Sequence, residues 1–321
     1  MSLTTLLLIL VGVGVALLLA ARQRRAVRLR AVAGGLLISY ITVLLLLLAG
    51  EAYFRFAYAA PEGRLASNNW MARYWQTNAL GYRDRAWTPA DWQDKTTVAL
   101  LGDSFTAGWG IEDTADRFGD VLAGLMGDDY AVFNLGVPGT STPEQLARLR
   151  AFPVENPDVI ILQYFLNDIQ YAALRLGYTP VTPDTPPLAQ ESHLADFFYS
   201  RFNAGFGGSY WARMYADYDN FVIWDTHAAE LREVVDYAES SGARLIVVLF
   251  PNMQDPVGSI PYVDRVAQVF EAEGVRDVLK LFDAVAAWQP REVVVSPLDA
   301  HPSAAFHRYV GEELYRLFFS E

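Results

Sequence analysis

A chain of 321 residues, 52% of them hydrophobic, is long enough for one well-buried domain of about 200 to 250 residues plus further segments. Its lack of cysteine excludes disulfides, metal–thiolate sites and thiol catalysis, and fits an oxidising compartment. The formal net charge is −12, and residues 1–55 hold six arginines and one glutamate, so about seventeen net negative charges fall on the remainder, which disfavours nucleic acid and strongly anionic polymers as partners.

The apolar excess is concentrated at the start. Leu3 to Ala20 and Ala31 to Gly50 are uncharged, and each approaches the roughly 20 residues that span a bilayer. Between them, residues 21–30 carry Arg22, Arg24, Arg25, Arg28 and Arg30 without an acid, which by the positive-inside rule places this loop in the cytoplasm and both chain ends outside. A cleaved signal peptide is the competing reading, but its positive charges precede the apolar run, whereas here they follow it. The expectation is a transmembrane hairpin over residues 1–58. Beyond the second span, Tyr53, Phe54, Phe56 and Tyr58 suit either an interfacial aromatic belt or ordinary helix packing.

Residues 59–95 form a connector without sustained periodicity, including "TNALGYRDRAW". Trp70, Trp75, Trp87 and Trp92 are costly to leave in water, so it reads as an ordered lead-in rather than a flexible linker. From residue 96 onward apolar runs alternate with helix-period segments. Strands are expected at Thr97 to Leu101, Ala131 to Leu135, Val159 to Tyr164, Arg244 to Phe250 and Val278 to Phe282. Helices are expected at Asp116 to Met126, Pro143 to Phe152, Phe221 to Ser240, Tyr262 to Glu273 and Ser303 to Phe318. This alternation predicts an α/β domain over 96–321 with a parallel sheet covered on both faces. Residues 173–220 break the pattern with a proline cluster and an aromatic run, as a lid, a binding insertion or a partner surface does.

In open parallel sheets ligands bind beyond the carboxyl ends of the strands, and the residues there form a coherent set. Gly102-Asp103-Ser104 follows the first strand, Asn134 to Gly139 ("NLGVPG") the second, and Phe165 to Asp168 ("FLND") the third; Asp299 and His301 ("PLDAHPS") precede the last helix. These types allow acyl transfer through a serine. Ser104 needs a base within hydrogen-bond reach, His301 has a suitable imidazole, and Asp299 can fix its tautomer. Backbone N–H groups of Ser104 and Gly139 and the Asn167 amide could stabilise the oxyanion. The bland alternatives are a helix-capping Ser104 and an Asn167 and Asp168 that end a strand and cap a helix.

Through these four blocks, and through "NALGYRD" before "LLGDSFTAGWG", the chain resembles the SGNH, or GDSL-like, hydrolases and their membrane-anchored bacterial members over about residues 96–319. The resemblance implies a flavodoxin-like α/β fold and assigns Ser104 as nucleophile, Ser104, Gly139 and Asn167 as the oxyanion hole, and Asp299 and His301 as the rest of the triad. It assigns Gly102, Asp103, Asn134 and Asp168 as loop supports. Two departures stand out: Phe165 occupies the position of a usual glycine two residues before Asn167, where it is expected to narrow the pocket, and only Ala300 separates Asp299 from His301, which leaves a Ser-His dyad open. His307 reads as a core or interface histidine, His193 and His227 show no partner at metal spacing, and neither metal nor cofactor is expected.

The expected function is a serine esterase or deacylase, anchored in the bacterial cytoplasmic membrane with its large domain on the periplasmic side, acting on ester groups of an envelope glycan or lipid. The alternatives are an O-acyltransferase using the same Ser-His site and a non-catalytic subunit docked on a membrane protein partner.

Overall fold

The structure, a computed structural model, describes residues 2–23, 27–179, 184–202 and 205–320. In chain order it opens with helices α1 (Leu3–Ala21) and α2 (Val27–Ala52), a π-helical turn at Tyr53–Ala57, then α3 (Arg64–Tyr74) and the short α4 (Pro89–Trp92). Next come β1 (Thr96–Leu101), α5 (Ser104–Ala107), α6 (Phe118–Met126), β2 (Tyr130–Asn134), α7 (Thr142–Arg150) and β3 (Val159–Phe165). After β3 lie α8 (Asp168–Arg175), α9 (Pro187–Glu191), α10 (His193–Phe202), α11 (Gly205–Asp219) and α12 (Phe221–Ser241). The chain continues through β4 (Arg244–Phe250), α13 (Pro256–Ala272), β5 (Asp277–Lys280), α14 (Phe282–Ala287) and α15 (Pro290–Val293). It closes with β6 (Val294–Ser296), β7 (Asp299–Pro302) and α16 (Ala304–Phe318). Contacts divide the chain into two compact units, Met1–Arg73 with Pro183–Ala204, and Tyr74–Thr182 with Gly205–Glu321.

In the first unit, α1 and the continuous helix Val27–Ala57 are each long and apolar enough to cross a membrane. Gly14 leaves room for the Tyr40 ring, whose hydroxyl donates to the Leu10 carbonyl at 2.6 Å and joins the two helices. Helix α2 begins four residues before the expected span, so Arg28 and Arg30 lie on its first turn rather than in a loop; Arg24 and Arg25 lie outside the described residues. At 1.5 Å per residue the 31 residues Val27–Ala57 extend about 46 Å, about 16 Å more than a hydrocarbon core is thick.

The segment containing α9 and α10 ties the hairpin ends together. The Glu51 carboxylate, at the end of α2, accepts from the Ser192 hydroxyl at 2.7 Å and from the His193 and Leu194 N–H groups at 3.2 and 3.0 Å. The Leu3 N–H, at the start of α1, donates to Glu191 at 2.8 Å. Farther out, Phe54 packs on Phe197 with centroids 4.1 Å apart, while Tyr53 and Phe56 are exposed, so the aromatic group past the second span serves partly in packing and partly at the surface.

The second unit holds a five-stranded, all-parallel sheet in the order β2-β1-β3-β4-β5, with the strand order reversing at β1 and β3. That is the doubly wound, flavodoxin-like topology, in which the switch point lies between the first and third strands. Strand β3, VIILQYF, is buried along its whole length, as a central strand covered by helices on both faces must be. One core forms around Phe133, Leu162, Leu231 and Phe270, the other around Leu100, Phe118, Phe250 and Phe306.

Several boundaries differ from the sequence expectation for local reasons. Helix α13 starts at Pro256 rather than Tyr262 because Asp255 caps it, accepting from the Gly258 N–H at 3.0 Å, with proline at the first position. Strand β5 is shifted to Asp277–Lys280, and Phe282 opens α14 instead of closing the strand. The aromatic run expected to interrupt the domain is mostly helical, as α10 and α11; Pro180 to Pro183, Asn203 and Ala204 lie outside the described residues. The lead-in is divided: Trp70 is buried in the first unit with α3, whereas Trp87 and Trp92 pack on Phe133 in the second.

Candidate active site

The carboxyl ends of β1, β2 and β3 bring three loops together. At the first, a Cβ on Gly102 would lie 2.1 Å from Thr106 Oγ1 and 2.4 Å from Gln163 Oε1, so only glycine fits. Gln163, on β3, occupies that space, accepting from the Asp103 N–H at 3.2 Å and the Thr106 hydroxyl at 2.9 Å. Asp103 is the N-cap of α5, its carboxylate accepting from the Phe105 N–H at 2.9 Å, which leaves Ser104 as the first helical residue. The capping role that a bland reading gives Ser104 therefore belongs to Asp103.

Asn134 braces the second loop. Its amide donates to the Thr106 carbonyl at 2.8 Å and its oxygen accepts from the Gly136 N–H at 3.1 Å. A Cβ on Gly136 would lie 2.4 Å from the Ala107 nitrogen, so this glycine, which the sequence reading passes over, is the one that allows close approach. Gly139 is needed for conformation instead: its φ is +72°, and a Cβ there would meet only the Tyr171 hydroxyl at 3.5 Å. The Val137 N–H donates to the Gly102 carbonyl at 3.2 Å and holds this loop beside that of Ser104.

At the third loop Asn167 sits at the N-cap position of α8, but its φ and ψ of −69° and −14° are helical and its side chain makes no capping hydrogen bond. It is not used as a cap. Its amide lies near Asp103 and favours the ionised form of that carboxyl, which burial otherwise pushes up. Asp168 is buried and accepts from the Thr142 hydroxyl at 2.7 Å. Burial, then the charge of Asp103, push the Asp168 carboxyl well above the usual range.

Ser104 meets residues 197 positions away. His301 Nε2 lies 2.8 Å from Ser104 Oγ, and His301 Nδ1 is in hydrogen-bond contact with Asp299 Oδ1. The single intervening residue suffices because Asp299 and His301 lie on β7, where period two puts both side chains on one face. The same carboxylate also accepts from the His301 N–H at 3.0 Å. Burial would raise the Asp299 carboxyl, but the His301 ring, its two N–H donors and the Trp109 side chain together hold it below the usual carboxylate range. Among the described residues no protein acceptor is found for the Ser104 or Gly139 N–H, so both remain available to a substrate oxygen.

Phe165, expected to narrow the pocket, lies on the face of β3 that carries Val159 and Ile161. It is buried and stacked on Phe105 at 4.2 Å, and the Phe105 ring lies 5.1 Å from that of His301. The half-buried Trp109 ring lies 6.1 Å from the His301 ring, and Trp75 lies 5.6 Å from Trp109. Arg83, in the lead-in, is a residue that the sequence reading did not single out. Its guanidinium is buried and donates to the carbonyls of Tyr74, Gly108 and Ile111 at 2.9, 2.7 and 2.6 Å; burial, then the charge of Arg117, lower its pKa to about 10. Asp84 accepts from the Trp87 indole and the Asn134 N–H, at 2.7 and 3.0 Å.

Of the other histidines, His307 is a core residue: its Nδ1 accepts from the Phe118 N–H at 3.2 Å, and burial, then the charge of Arg117, lower its pKa to about 3. His193 and His227 do have carboxylate neighbours, Glu51 at 3.8 Å and Glu230 at 3.2 Å. Among the described residues no cluster of three or more acids and histidines could hold a metal ion.

The chain matches the sequence model of the GDSL-like lipase/acylhydrolase family over residues 100–309. Among solved structures, a lipolytic protein of the G-D-S-L family from Veillonella parvula is 16% identical, with 70% of this chain and 99% of that one covered and a TM-score of 0.45. TesA is 19% identical, with 68% and 96% covered and a TM-score of 0.42. The psychrotrophic esterase EstA from a Pseudoalteromonas species is 15% identical, with 69% and 96% covered and a TM-score of 0.42. No curated protein sequence matches the chain significantly.

Proposed function

Because the chain belongs to the GDSL-like lipase/acylhydrolase family, we propose that it is a serine ester hydrolase, held in the cytoplasmic membrane by the α1–α2 hairpin, that acts from the outer side on ester groups of an envelope glycan or lipid. The observation that carries this reading is the hydrogen-bond chain from Ser104 Oγ through His301 to Asp299. Ser104 Oγ attacks the ester carbonyl while His301 Nε2 takes its proton, and Asp299 stabilises the imidazolium through Nδ1. The tetrahedral oxyanion is met by the Ser104 and Gly139 N–H groups and the Asn167 amide. His301 returns the proton to the departing alkoxide, which leaves an acyl-Ser104 ester. Water then repeats the sequence, with His301 as base, and releases the carboxylic acid. A sugar hydroxyl in place of water makes the same site an acyltransferase.

One experiment tests both chemistry and placement. A charged, membrane-impermeant fluorophosphonate added to intact spheroplasts is expected to label the wild type and not Ser104→Ala. Labelling that appears only after lysis puts the site on the cytoplasmic side, and labelling of Ser104→Ala removes Ser104 as nucleophile.

A further inference from the structure

Beneath the Asn167 loop lies a buried chain of polar groups that the mechanism above does not use. Glu230 Oε2 lies 3.2 Å from His227 Nδ1, and His227 Nε2 lies 2.7 Å from the Tyr164 hydroxyl. That hydroxyl lies 2.5 Å from the hydroxyl of Tyr218, which reaches the Leu166 carbonyl at 3.1 Å. His227, Tyr164 and Tyr218 are all fully buried, and they come from α12, β3 and the last turn of α11. Among the described residues Tyr218 is the donor found for the Leu166 carbonyl, whose peptide carries Asn167.

The protons in this chain can be counted. Its two ends accept only: Leu166 offers a carbonyl, and Glu230 is ionised, because His227 and Arg175 outweigh the burial that would raise its pKa. Between the ends are four contacts. A neutral His227 with the two tyrosines supplies one N–H and two O–H groups, three protons in all, whereas an imidazolium supplies four. With three, the ionised Glu230 keeps a proton on His227 Nδ1 although that contact is the longest at 3.2 Å, and the 2.5 Å pair of hydroxyls must keep one between its oxygens, so the contact to Leu166 goes without. Burial pushes the His227 imidazole down, against the pull of Glu230, and pushes both tyrosines well above their ordinary range, so that the histidine is the group that gains or loses the fourth proton. The other titratable and charged groups facing the chain are Arg175 and Asp168 on α8, the Asp168 carboxyl being raised well above its usual range, and Arg265 on α13, which donates to the Tyr218 carbonyl at 2.6 Å.

We propose that Tyr218 is a positioning residue for the oxyanion donor: its hydroxyl holds the Leu166 carbonyl, and with it the peptide of Asn167, in a chain that is complete when His227 takes up a proton. This rests on the serine hydrolase reading. It gives part of the aromatic run before α12 a definite task, since α11 delivers Tyr218 to the back of the site.

The test is a double-mutant cycle on the full-length protein in detergent, with hydrolysis of p-nitrophenyl acetate as the readout. At a pH where the nitrogen-15 resonances show His227 as an imidazolium, Tyr218→Phe is expected to lower kcat about threefold to tenfold with KM unchanged, as for loss of one neutral hydrogen bond, and to change kcat by less than about 1.5-fold in an Asn167→Ala background. Equal losses in both backgrounds overturn the positioning role, since a packing residue acts whether or not Asn167 is present. If Tyr218→Phe does not fold, Tyr164→Phe breaks the same chain one link earlier and enters the same cycle. Nitrogen-15 resonances of the imidazoles supply an independent readout: the His227 pKa is expected to fall in Tyr218→Phe, because the fourth contact no longer exists to be filled, and an unchanged value overturns the proton coupling. Ser104→Ala is run alongside. Undiminished turnover there defeats the hydrolase reading itself, whereas an additive cycle with Ser104-dependent turnover defeats only the positioning role.

Discussion

In the unit that begins with α1, no residue of α1 is buried and Ala33 alone is buried on α2, whereas in the other unit every residue of β3 is covered by helices. Both units are rich in leucine, isoleucine and valine, so composition does not separate them. The difference is where the apolar side chains are satisfied. The parallel sheet meets its own helices on both faces and needs no other solvent than itself. The hairpin turns its side chains outward, which is favourable where the surroundings are lipid tails rather than water. Polar contacts differ as well: in the hairpin unit Glu51 and Glu191 join the helix ends and Tyr40 bonds Leu10 between the helices, whereas in the sheet unit a set of buried hydrogen bonds runs under the site.

The largest expected effect keeps chemistry separate from cohesion. Ser104→Ala and His301→Ala should each lower ester turnover by at least about a thousandfold, since the residues act as one unit, with little change in thermal midpoint. A midpoint shift that accounts for the lost activity would instead assign them to the core.

Next comes Asn167→Ala, expected to lower kcat about a hundredfold with KM nearly unchanged, or roughly 2.7 to 4 kcal/mol of transition-state stabilisation. Were the side chain a cap, the domain would lose about 1 kcal/mol of stability and the folded fraction would turn over normally. Turnover and melting measured on the same preparations decide between the two.

A smaller effect concerns pH. Asp168 has a raised pKa in the folded protein, so between the ordinary aspartate value and the raised one the native state holds a proton that the unfolded state has lost. Stability therefore falls as pH rises through that window, by up to about 1.4 kcal/mol per pH unit from this group. Denaturant melts of Asp168→Asn across the same window should show a shallower decline; an identical slope would mean that Asp168 ionises as an ordinary carboxylate.

The smallest effect on turnover is expected from Glu51→Ala. It removes the acceptor that Ser192, His193 and Leu194 share, so limited proteolysis within residues 184–202 should quicken, while ester turnover stays within about twofold because that unit holds none of the candidate catalytic groups. A large loss of turnover would show that the two units are coupled.

What the sequence alone determined is whatever depends on neighbours along the chain. Continuous apolar runs identify β1, β3 and β4, because a strand buried on both faces admits few polar residues, and the uncharged stretches at the start identify two helices long enough for a bilayer. The Gly-Asp-Ser block and the Asp-x-His pair are equally local. The tertiary structure decided the rest. It brings Ser104 and His301 together across 197 positions, turns Phe165 into the core, and supplies Arg83 with five carbonyls and Tyr218 with another. Carbonyl acceptors belong to every residue type alike, so no side-chain pattern marks which of them a buried guanidinium or hydroxyl will meet; only the packing of helices and loops over the sheet selects the partner.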